Sequence, residues 1–159
     1  MENVSAPASP SQPRHRLLAL DFGSRNIGLA VSDELGVTAQ GLPTYRRSNK
    51  RNDLDHLRRI IKQHSIGELV MGLPLRMSGD EGIQSDKVQA FAEELRRKFK
   101  LPVHLFDERL TSVEANRMLR QTDMSIRRRA EVVDQVAAVL ILQSFLEFRK
   151  SSKGLGGSV

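Results

Sequence analysis

The order of the apolar segments constrains the fold of this chain more than any other feature of its sequence. Three short apolar segments come first, separated by tight polar turns, and this pattern predicts an antiparallel three-stranded meander. Short apolar segments then alternate with amphipathic helical segments, which is typical of α/β proteins. We therefore predict an α/β fold with a mixed five-stranded sheet, an antiparallel meander plus parallel strands, flanked by helices. The predicted strands are Leu17–Leu20, Ile27–Val31, Val37–Arg46, Glu68–Gly72 and Val103–Asp107.

Helical periodicity and capping residues predict the helices. Asn52 is the expected N-cap of the first helix. The stretch Ser78–Gly82 contains two glycines and predicts a flexible loop before the second helix. The predicted helices cover Leu54–Ile61, Val88–Phe99, a segment that begins with the capping box Thr111–Glu114, and Ile126–Phe148.

The two ends of the chain differ in composition from its middle. Residues 1–15 are rich in Pro and Ser, and residues 150–159 in Ser and Gly, so we expect both to be disordered tails. Residues 16–149 then form one domain, long enough to bury a hydrophobic core. The first residues lack the apolar core of a signal peptide, and no apolar run reaches the ~20 residues of a membrane span. We expect a cytoplasmic protein without a membrane partner.

The charge balance favours a polyanionic partner. Lys and Arg number 25 against 19 Asp and Glu, which gives a net charge of +6 and a pI near 10.2, as is common in nucleic-acid-binding proteins. Aromatic residues make up 4% of the chain and Trp is absent, so contacts with the phosphate backbone are expected rather than base stacking. The lack of Cys excludes disulfides and thiolate metal sites.

Acidic residues stand at three points where a site could form. Asp21 closes the first predicted strand, and Asp107 and Glu108 end the last one. Open α/β sheets place their sites at the carboxyl ends of their strands. Because strand side chains alternate, a single site can use only one of Asp107 and Glu108 directly. Asp134 lies in a helix that is apolar nearly all round. We therefore expect it to be buried and to need a hydrogen bond, a cationic side chain or a metal.

Each acid also has a plain structural interpretation. Asp21 could cap a turn, the Asp107–Glu108 pair could bind Arg109, and Asp134 could form a structural salt bridge. Taken together, the carboxylates form a set of hard oxygen ligands suited to Mg²⁺ or Mn²⁺. Two such ions about 3.5–4 Å apart can assist hydrolysis of a phosphodiester. This combination predicts a metal-dependent nuclease, a phosphodiester hydrolase. The four histidines show no metal-ligand spacing and are assigned no role.

Four segments, in order along the chain, resemble the YqgF/RuvX family of pre-16S rRNA nucleases, which are related to Holliday-junction resolvases. The similarity spans about residues 16–148, and departs from the common pattern at Asn26 and Ser78, neither of which is a proposed ligand. The matching segments are Leu20–Asp33, Met71–Leu75, Asp107–Ser112 and Val133–Gln143.

The resemblance implies a ribonuclease-H-like fold and a role in maturing the 5′ end of pre-16S rRNA during ribosome biogenesis. It also implies a metal-binding centre formed by Asp21, Asp134 and one acid of the pair. Glu108 is slightly preferred as that metal ligand, and Asp107 is kept as a catalytic candidate. The expected cofactor is Mg²⁺ or Mn²⁺.

Basic and hydroxyl side chains near these acids are candidates for substrate binding. Arg109, Thr111 and Ser112 are expected near a helix N-terminus, whose free N–H groups favour phosphate. The full set is Arg25, Arg76, Arg109, Thr111, Ser112 and Arg128.

Other functions compatible with the sequence are a Holliday-junction resolvase acting on branched DNA and a non-catalytic RNA-binding or ribosome-assembly factor. An actin-like ATPase or sugar kinase begins with a similar strand and hairpin, but such enzymes generally need two domains of this kind. The expected partners are an rRNA precursor or branched DNA, together with the small ribosomal subunit. A monomer and a homodimer both fit the sequence.

Overall fold

A computed structural model describes residues 15–74, 79–111 and 126–156 of the chain. The strands are β1 (Arg16–Phe22), β2 (Asn26–Ser32), β3 (Ala39–Arg46), β4 (Ile66–Leu73) and β5 (Val103–Asp107). The helices are α1 (Lys50–Gln63), α2 (Gly79–Phe99) and α3 (Ile126–Gly156), and a 3₁₀ turn, Glu108–Leu110, follows β5.

The five strands form one mixed sheet in the order β3-β2-β1-β4-β5. The first three strands are an antiparallel meander, while β4 runs parallel to β1 and β5 parallel to β4. The predicted sheet is therefore confirmed. Its central strand is β1, whose uninterrupted apolar run is buried on both faces.

Alternation along β1 divides the hydrophobic core into two layers. Leu18 and Leu20 pack on the side of α1 and α2, whereas Leu17 and Ala19 pack on the side of α3. Because successive strand side chains point to opposite faces, Asp21 lies on the same face as Ala19, toward α3. This alternation decides which helix Asp21 meets.

Three details of the helices differ from the sequence predictions. The N-cap of α1 is Asn49, whose side chain accepts a hydrogen bond from the backbone N–H of Asn52 at 2.9 Å, so Asn52 was the wrong cap. The prediction of a loop over Gly79–Gly82 is also wrong, because these residues form the first turn of α2. Helix α3 is buried along one face only and leaves Asp134 half-buried. The expectation of burial all round is therefore corrected.

The helix α3 ends at Gly156, beyond the expected domain limit at residue 149. The predicted N-terminal tail up to residue 14, and all but the first residue of the capping box at Thr111–Glu114, lie outside the described residues, as do Arg76 and Ser112. Within the part of the chain that the structure describes, no helix is both long and apolar enough to cross a membrane.

An ionic network joins helix α3 to the end of the sheet that lies opposite Asp21. Glu68 accepts hydrogen bonds from Arg149 at 3.1 and 2.5 Å and also contacts His15 at 2.8 Å and His104 at 2.7 Å. Both histidines had been assigned no role, and His15 had been placed in a tail. The partners come from distant parts of the chain, so the network ties the ends of the domain together.

The network makes stability depend on acidity. Hydrogen bonds from Arg149, followed by those from the two histidines, lower the pKa of Glu68 from 4.5 to about 2. A carboxyl group with a lowered folded-state pKa stabilises the protein above pH 4.5, and this stabilisation is lost as the pH falls toward 2.

We expect Glu68→Gln to lower the free energy of unfolding at pH 7 by about 2–3 kcal/mol, somewhat less than the ~3.4 kcal/mol that a pKa lowered from 4.5 to about 2 represents, because solvent partly screens the half-buried carboxylate. Urea unfolding between pH 7 and pH 2 measures the effect. In wild type, the contribution of Glu68 to the free energy of unfolding should be lost as the pH falls from 4.5 to 2. The Glu68→Gln variant should not show this loss. Glu93→Gln, at an exposed surface pair, is the control and should follow wild type. Parallel pH curves for wild type and Glu68→Gln would contradict the assignment.

Candidate metal centre

Asp21 is the penultimate residue of β1 and is only 6% exposed, although its side chain is acidic. It therefore lies within the central strand rather than in the turn that follows it. The turn is closed by a hydrogen bond from the Gly23 N–H to the Asn26 carbonyl at 2.9 Å. A buried carboxylate at the end of the central strand needs polar or ionic compensation, and its neighbours are therefore informative.

Glycines flank Asp21 on both neighbouring strands. Gly28 of β2 is paired directly with Asp21. On the other side Leu20 pairs with Met71, and this parallel register brings Gly72 of β4 beside Asp21. Residues two positions away from these glycines, Ala30 and Val70, belong to the core layer under α3. The glycines thus leave space on the α3 face on both sides of the carboxylate.

The space above Gly28 is taken by the backbone of α3. A β-carbon at Gly28 would lie 2.0 Å from the carbonyl oxygen of Asp134 and 3.1 Å from its α-carbon. Only glycine permits this approach. The contact places Asp134 above β2, on the face and at the end of the sheet that carry Asp21.

The space above Gly72 is taken by Glu108 and by a side chain of α3. A β-carbon at Gly72 would lie 2.9 Å from Glu108 Oε1 and 2.7 Å from Ile141 Cδ1. Glu108 therefore projects over β4 on the α3 face. The structure brings Asp21, Glu108 and Asp134 to one end of one face of the sheet.

Asp107 faces away from this group and binds Arg109. The Arg109 Nε lies 3.1 and 3.0 Å from the two carboxylate oxygens, Nη2 donates at 2.8 Å, and the Arg109 backbone N–H donates at 2.9 Å. The hydrogen bonds from Arg109 lower the pKa of Asp107. Of the two adjacent acids, Asp107 is therefore the one that forms the expected ion pair with Arg109. Thr111 donates its hydroxyl to the Glu108 carbonyl at 2.7 Å and so closes the 3₁₀ turn.

A polar clamp, which the sequence analysis missed, holds the first half of α3 on β3. Gln135 Nε2 donates to the Leu42 carbonyl at 3.0 Å, and a β-carbon at Gly41 would lie 2.7 Å from Gln135 Cγ. Thr44 donates its hydroxyl to the Glu131 carbonyl at 2.7 Å. The only sequence signal was a Gln beside Asp134 and a glycine inside a strand. The clamp fixes the helical turn that carries Asp134.

The other predicted substrate contacts are distributed around this end of the sheet. Arg25 is exposed on the β1–β2 turn, and its carbonyl accepts a hydrogen bond from the Arg47 N–H at 2.8 Å. Arg128 is exposed on the first turn of α3. Arg109 is held by Asp107 as described above.

The chemistry of the three acids suits a divalent cation, since carboxylate oxygens are the ligands that Mg²⁺ and Mn²⁺ prefer. Gly28 and Gly72 provide the close approach that such a centre needs. Asp21, Glu108 and Asp134 all have interaction partners. Among the residues described, no three acidic or histidine side chains are already close enough together to hold an ion. The three acids therefore suit a cation by residue type and because they lie on the same face of the sheet.

Comparison with known proteins identifies the family. The sequence model of the RuvX family, described as a Holliday junction resolvase, matches residues 15–148. A Koribacter versatilis (strain Ellin345) protein named "Putative pre-16S rRNA nuclease" is 59% identical over 140 residues, 88% of this chain and 92% of the relative. A Moorella thermoacetica protein of the same name is 51% identical over 132 residues, 83% of this chain and 94% of the relative.

A solved structure shows the same fold. The T. thermophilus RuvC chain, solved in complex with a Holliday junction substrate, is 12% identical, with a TM-score of 0.52 over 87% of this chain and 97% of that chain. The sheet and its helices thus have the ribonuclease-H-like fold of RuvC. The chain belongs to the RuvX family. The prediction of a nuclease, a phosphodiester hydrolase, is confirmed at the level of the family.

We expect Gly28→Ala to lower the free energy of unfolding by about 1–3 kcal/mol, because the added methyl would overlap the backbone of α3 rather than a flexible side chain. Urea unfolding measures the change. Gly82→Ala in α2 is the control, since nothing lies within 4 Å of its added β-carbon. Alanine in a helix should raise stability there by about 0.5–1 kcal/mol. Equal effects of the two substitutions would refute the close contact of α3 with Gly28.

Proposed function

We propose that this protein is a metal-dependent nuclease that hydrolyses phosphodiester bonds in structured RNA, and that its reaction is 5′-end maturation of pre-16S rRNA. The observation that carries the proposal is the buried Asp21 with a glycine on each side, where Gly72 is covered by Glu108 and Gly28 by the Asp134 turn of α3. Clustered carboxylates beside a phosphate would repel it, so a purely nucleic-acid-binding protein has no use for them unless cations intervene.

Asp21, Glu108 and Asp134 are the residues that would hold the cations. Bound Mg²⁺ or Mn²⁺ would stabilise charge on the phosphate and lower the pKa of a bound water. Asp21 is fixed by the central strand, Glu108 by the 3₁₀ turn that Thr111 closes, and Asp134 by the Gln135 clamp. Ligands on rigid elements are held in place before substrate arrives, which reduces the reorganisation needed for catalysis.

Arg25 and Arg128 are the described cations proposed to contact substrate phosphates, with Arg76 and Ser112 proposed from the sequence. Arg109 is proposed to position Asp107 and to bind substrate through its exposed guanidinium. The names of the relatives favour an rRNA precursor as substrate. A cytoplasmic location and association with the small ribosomal subunit belong to this proposal. The description of the family model favours a second candidate, resolution of branched DNA.

We expect Asp21→Asn to reduce cleavage of a pre-16S 5′-leader RNA at least 100-fold in Mg²⁺ or Mn²⁺, because the amide weakens a shared ligand. Labelled RNA and a four-way DNA junction, assayed in parallel, distinguish the two substrates. Glu93→Gln, a remote exposed carboxylate, should cleave as wild type does. Undiminished cleavage by Asp21→Asn would exclude the catalytic model.

A second readout does not depend on catalysis. A ligand that binds only the folded state raises the melting temperature, and the rise grows with the logarithm of its concentration once that concentration exceeds Kd. Mn²⁺ should therefore raise the melting temperature of wild type and of Glu93→Gln, and should have a smaller effect on Asp21→Asn. An equal rise in all three proteins would place the ion elsewhere.

The two adjacent acids after β5 should behave differently. Glu108→Gln should reduce cleavage by a factor of 100 or more, because Glu108 lies over Gly72 beside Asp21. Asp107→Asn should reduce cleavage by less than about tenfold, because the Asp107 carboxylate binds Arg109 on the other side of the strand. Cleavage kinetics at saturating Mg²⁺ measure both variants, and the reverse order would make Asp107 the ligand.

A further inference from the structure

A groove opens between the end of β3 and α1, on the far side of the meander from β4. Its volume is about 620 Å³. We call it the β3–α1 groove, and it is lined by Tyr45, Arg46, Ser48, Asn52, Asp55, Arg58 and Arg59.

The β3–α1 groove carries an excess of positive charge. Its three arginines are all exposed, and its only carboxylate, Asp55, lies 3.7 Å from Arg58 in a solvent-exposed pair. Such a pair contributes little and is readily exchanged for another anion. Among the described residues, Arg46 and Arg59 form no ion pair. The guanidinium groups therefore remain available to an external anion.

Tyr45 of the groove lining is supported from behind by a stacked histidine. Tyr45 stacks on His56, with ring centroids 4.1 Å apart and an interplanar angle of 13°. Burial, followed by the charge of Arg59, lowers the pKa of His56, so the imidazole is neutral at pH 7. Asn52 Nδ2 donates to Ser48 Oγ at 3.0 Å. The charge of the groove is thus set by arginines, with polar groups between them.

The groove opens at the end of the sheet that carries Asp21, but beside α1, on the face opposite to the α3 face toward which Asp21 points. Arg46 pairs with Asn26 of β2, and the next residue, Arg47, donates its N–H to the carbonyl of Arg25 in the β1–β2 turn. β3 lies two strands from β1, a distance of about 10 Å along the sheet. One strand of a duplex carries a phosphate about every 3.4 Å along its axis. A nucleic acid that passes from Asp21 over this end of the sheet to the α1 side can therefore reach the groove within a few nucleotides.

We propose that the β3–α1 groove binds the phosphate backbone of the substrate, a few nucleotides from the bond at Asp21. This inference rests on the proposed function, since it takes Asp21 as the place of cleavage. Guanidinium forks match phosphate oxygens in geometry and stay charged at any physiological pH. The face of Tyr45 that stacks on His56 is not open to a base, and contacts between arginines and phosphates do not depend on base sequence.

The test removes two of the three arginines in a protein that does not cut. Arg58→Gln/Arg59→Gln is made in the Asp21→Asn background, and binding of a fluorescein-labelled hairpin RNA with a 5′ extension is measured across a series of KCl concentrations. We expect affinity to fall at least tenfold at low salt. Two lost phosphate contacts should also reduce the slope of log K against log [KCl] by about 1.4–1.8.

The matched control is Arg97→Gln/Lys98→Gln on α2. It removes the same charge, and each double variant also breaks one exposed pair, Arg97 with Glu94 at 2.8 Å or Arg58 with Asp55. The control should bind within a factor of two or three of the parent protein. Arg58→Lys/Arg59→Lys should retain most of the salt slope, and it keeps the test informative if the glutamine variant unfolds.

Equal losses in the groove variant and the control would overturn the proposal, because net charge would then explain binding. An unchanged groove variant would also overturn it. The outcome is separable from the catalytic proposal. Groove-dependent binding without cleavage by wild type would refute the catalytic proposal, and with it the position of the groove relative to a cleaved bond, but would support phosphate binding by the groove. Cleavage with binding that is independent of the groove would refute this inference alone.

Discussion

The approach of helix α3 to strand β2 at Gly28 is the contact on which the candidate site depends. It is a backbone-to-backbone contact, since the Asp134 carbonyl occupies the place of a β-carbon. Dispersion and burial favour such packing over a wide surface, and α3 also contacts β1, β3 and β4. Asp134 is thereby brought to the end of the sheet that carries Asp21, and the same helix supplies the core residues Ala137, Ala138 and Ile141. Core packing and the proposed chemistry therefore share one element.

Much of this arrangement follows from sequence pattern. The apolar run that ends at Asp21 predicted the first strand, and side-chain alternation at the end of β5 predicted that only one of Asp107 and Glu108 could serve the site directly. The periodicities of strands and helices in the sequence predicted the elements and the mixed sheet, but not the order of the strands or the face toward which each acid points. Nearness of Asp134 to Asp21 was expected from the family resemblance and from the need of a buried carboxylate for a partner.

The features that the sequence did not reveal are contacts between distant residues. Gly28, Gly41 and Gly72 look like ordinary strand residues until α3 and Glu108 are placed over them. The Glu68 network joins residues up to 81 positions apart, and no local pattern records such a separation. The start of α1 shows the local limit, because Asn49 and Asn52 are equally good N-caps by type and only backbone geometry distinguishes them.

The length of α3 has a consequence for motion. The helix is clamped by Gln135 and by Arg149, so local opening that reaches either residue must break a side-chain hydrogen bond as well as helical hydrogen bonds. Local opening is usually cheapest at helix ends. The two anchors favour cooperative opening of the segment between them, and its amide hydrogens should then exchange at a nearly uniform rate. A cation bound at Asp134 would slow amide exchange along α3 as far as Arg149. Binding at one end of the domain would therefore be measurable at the other end.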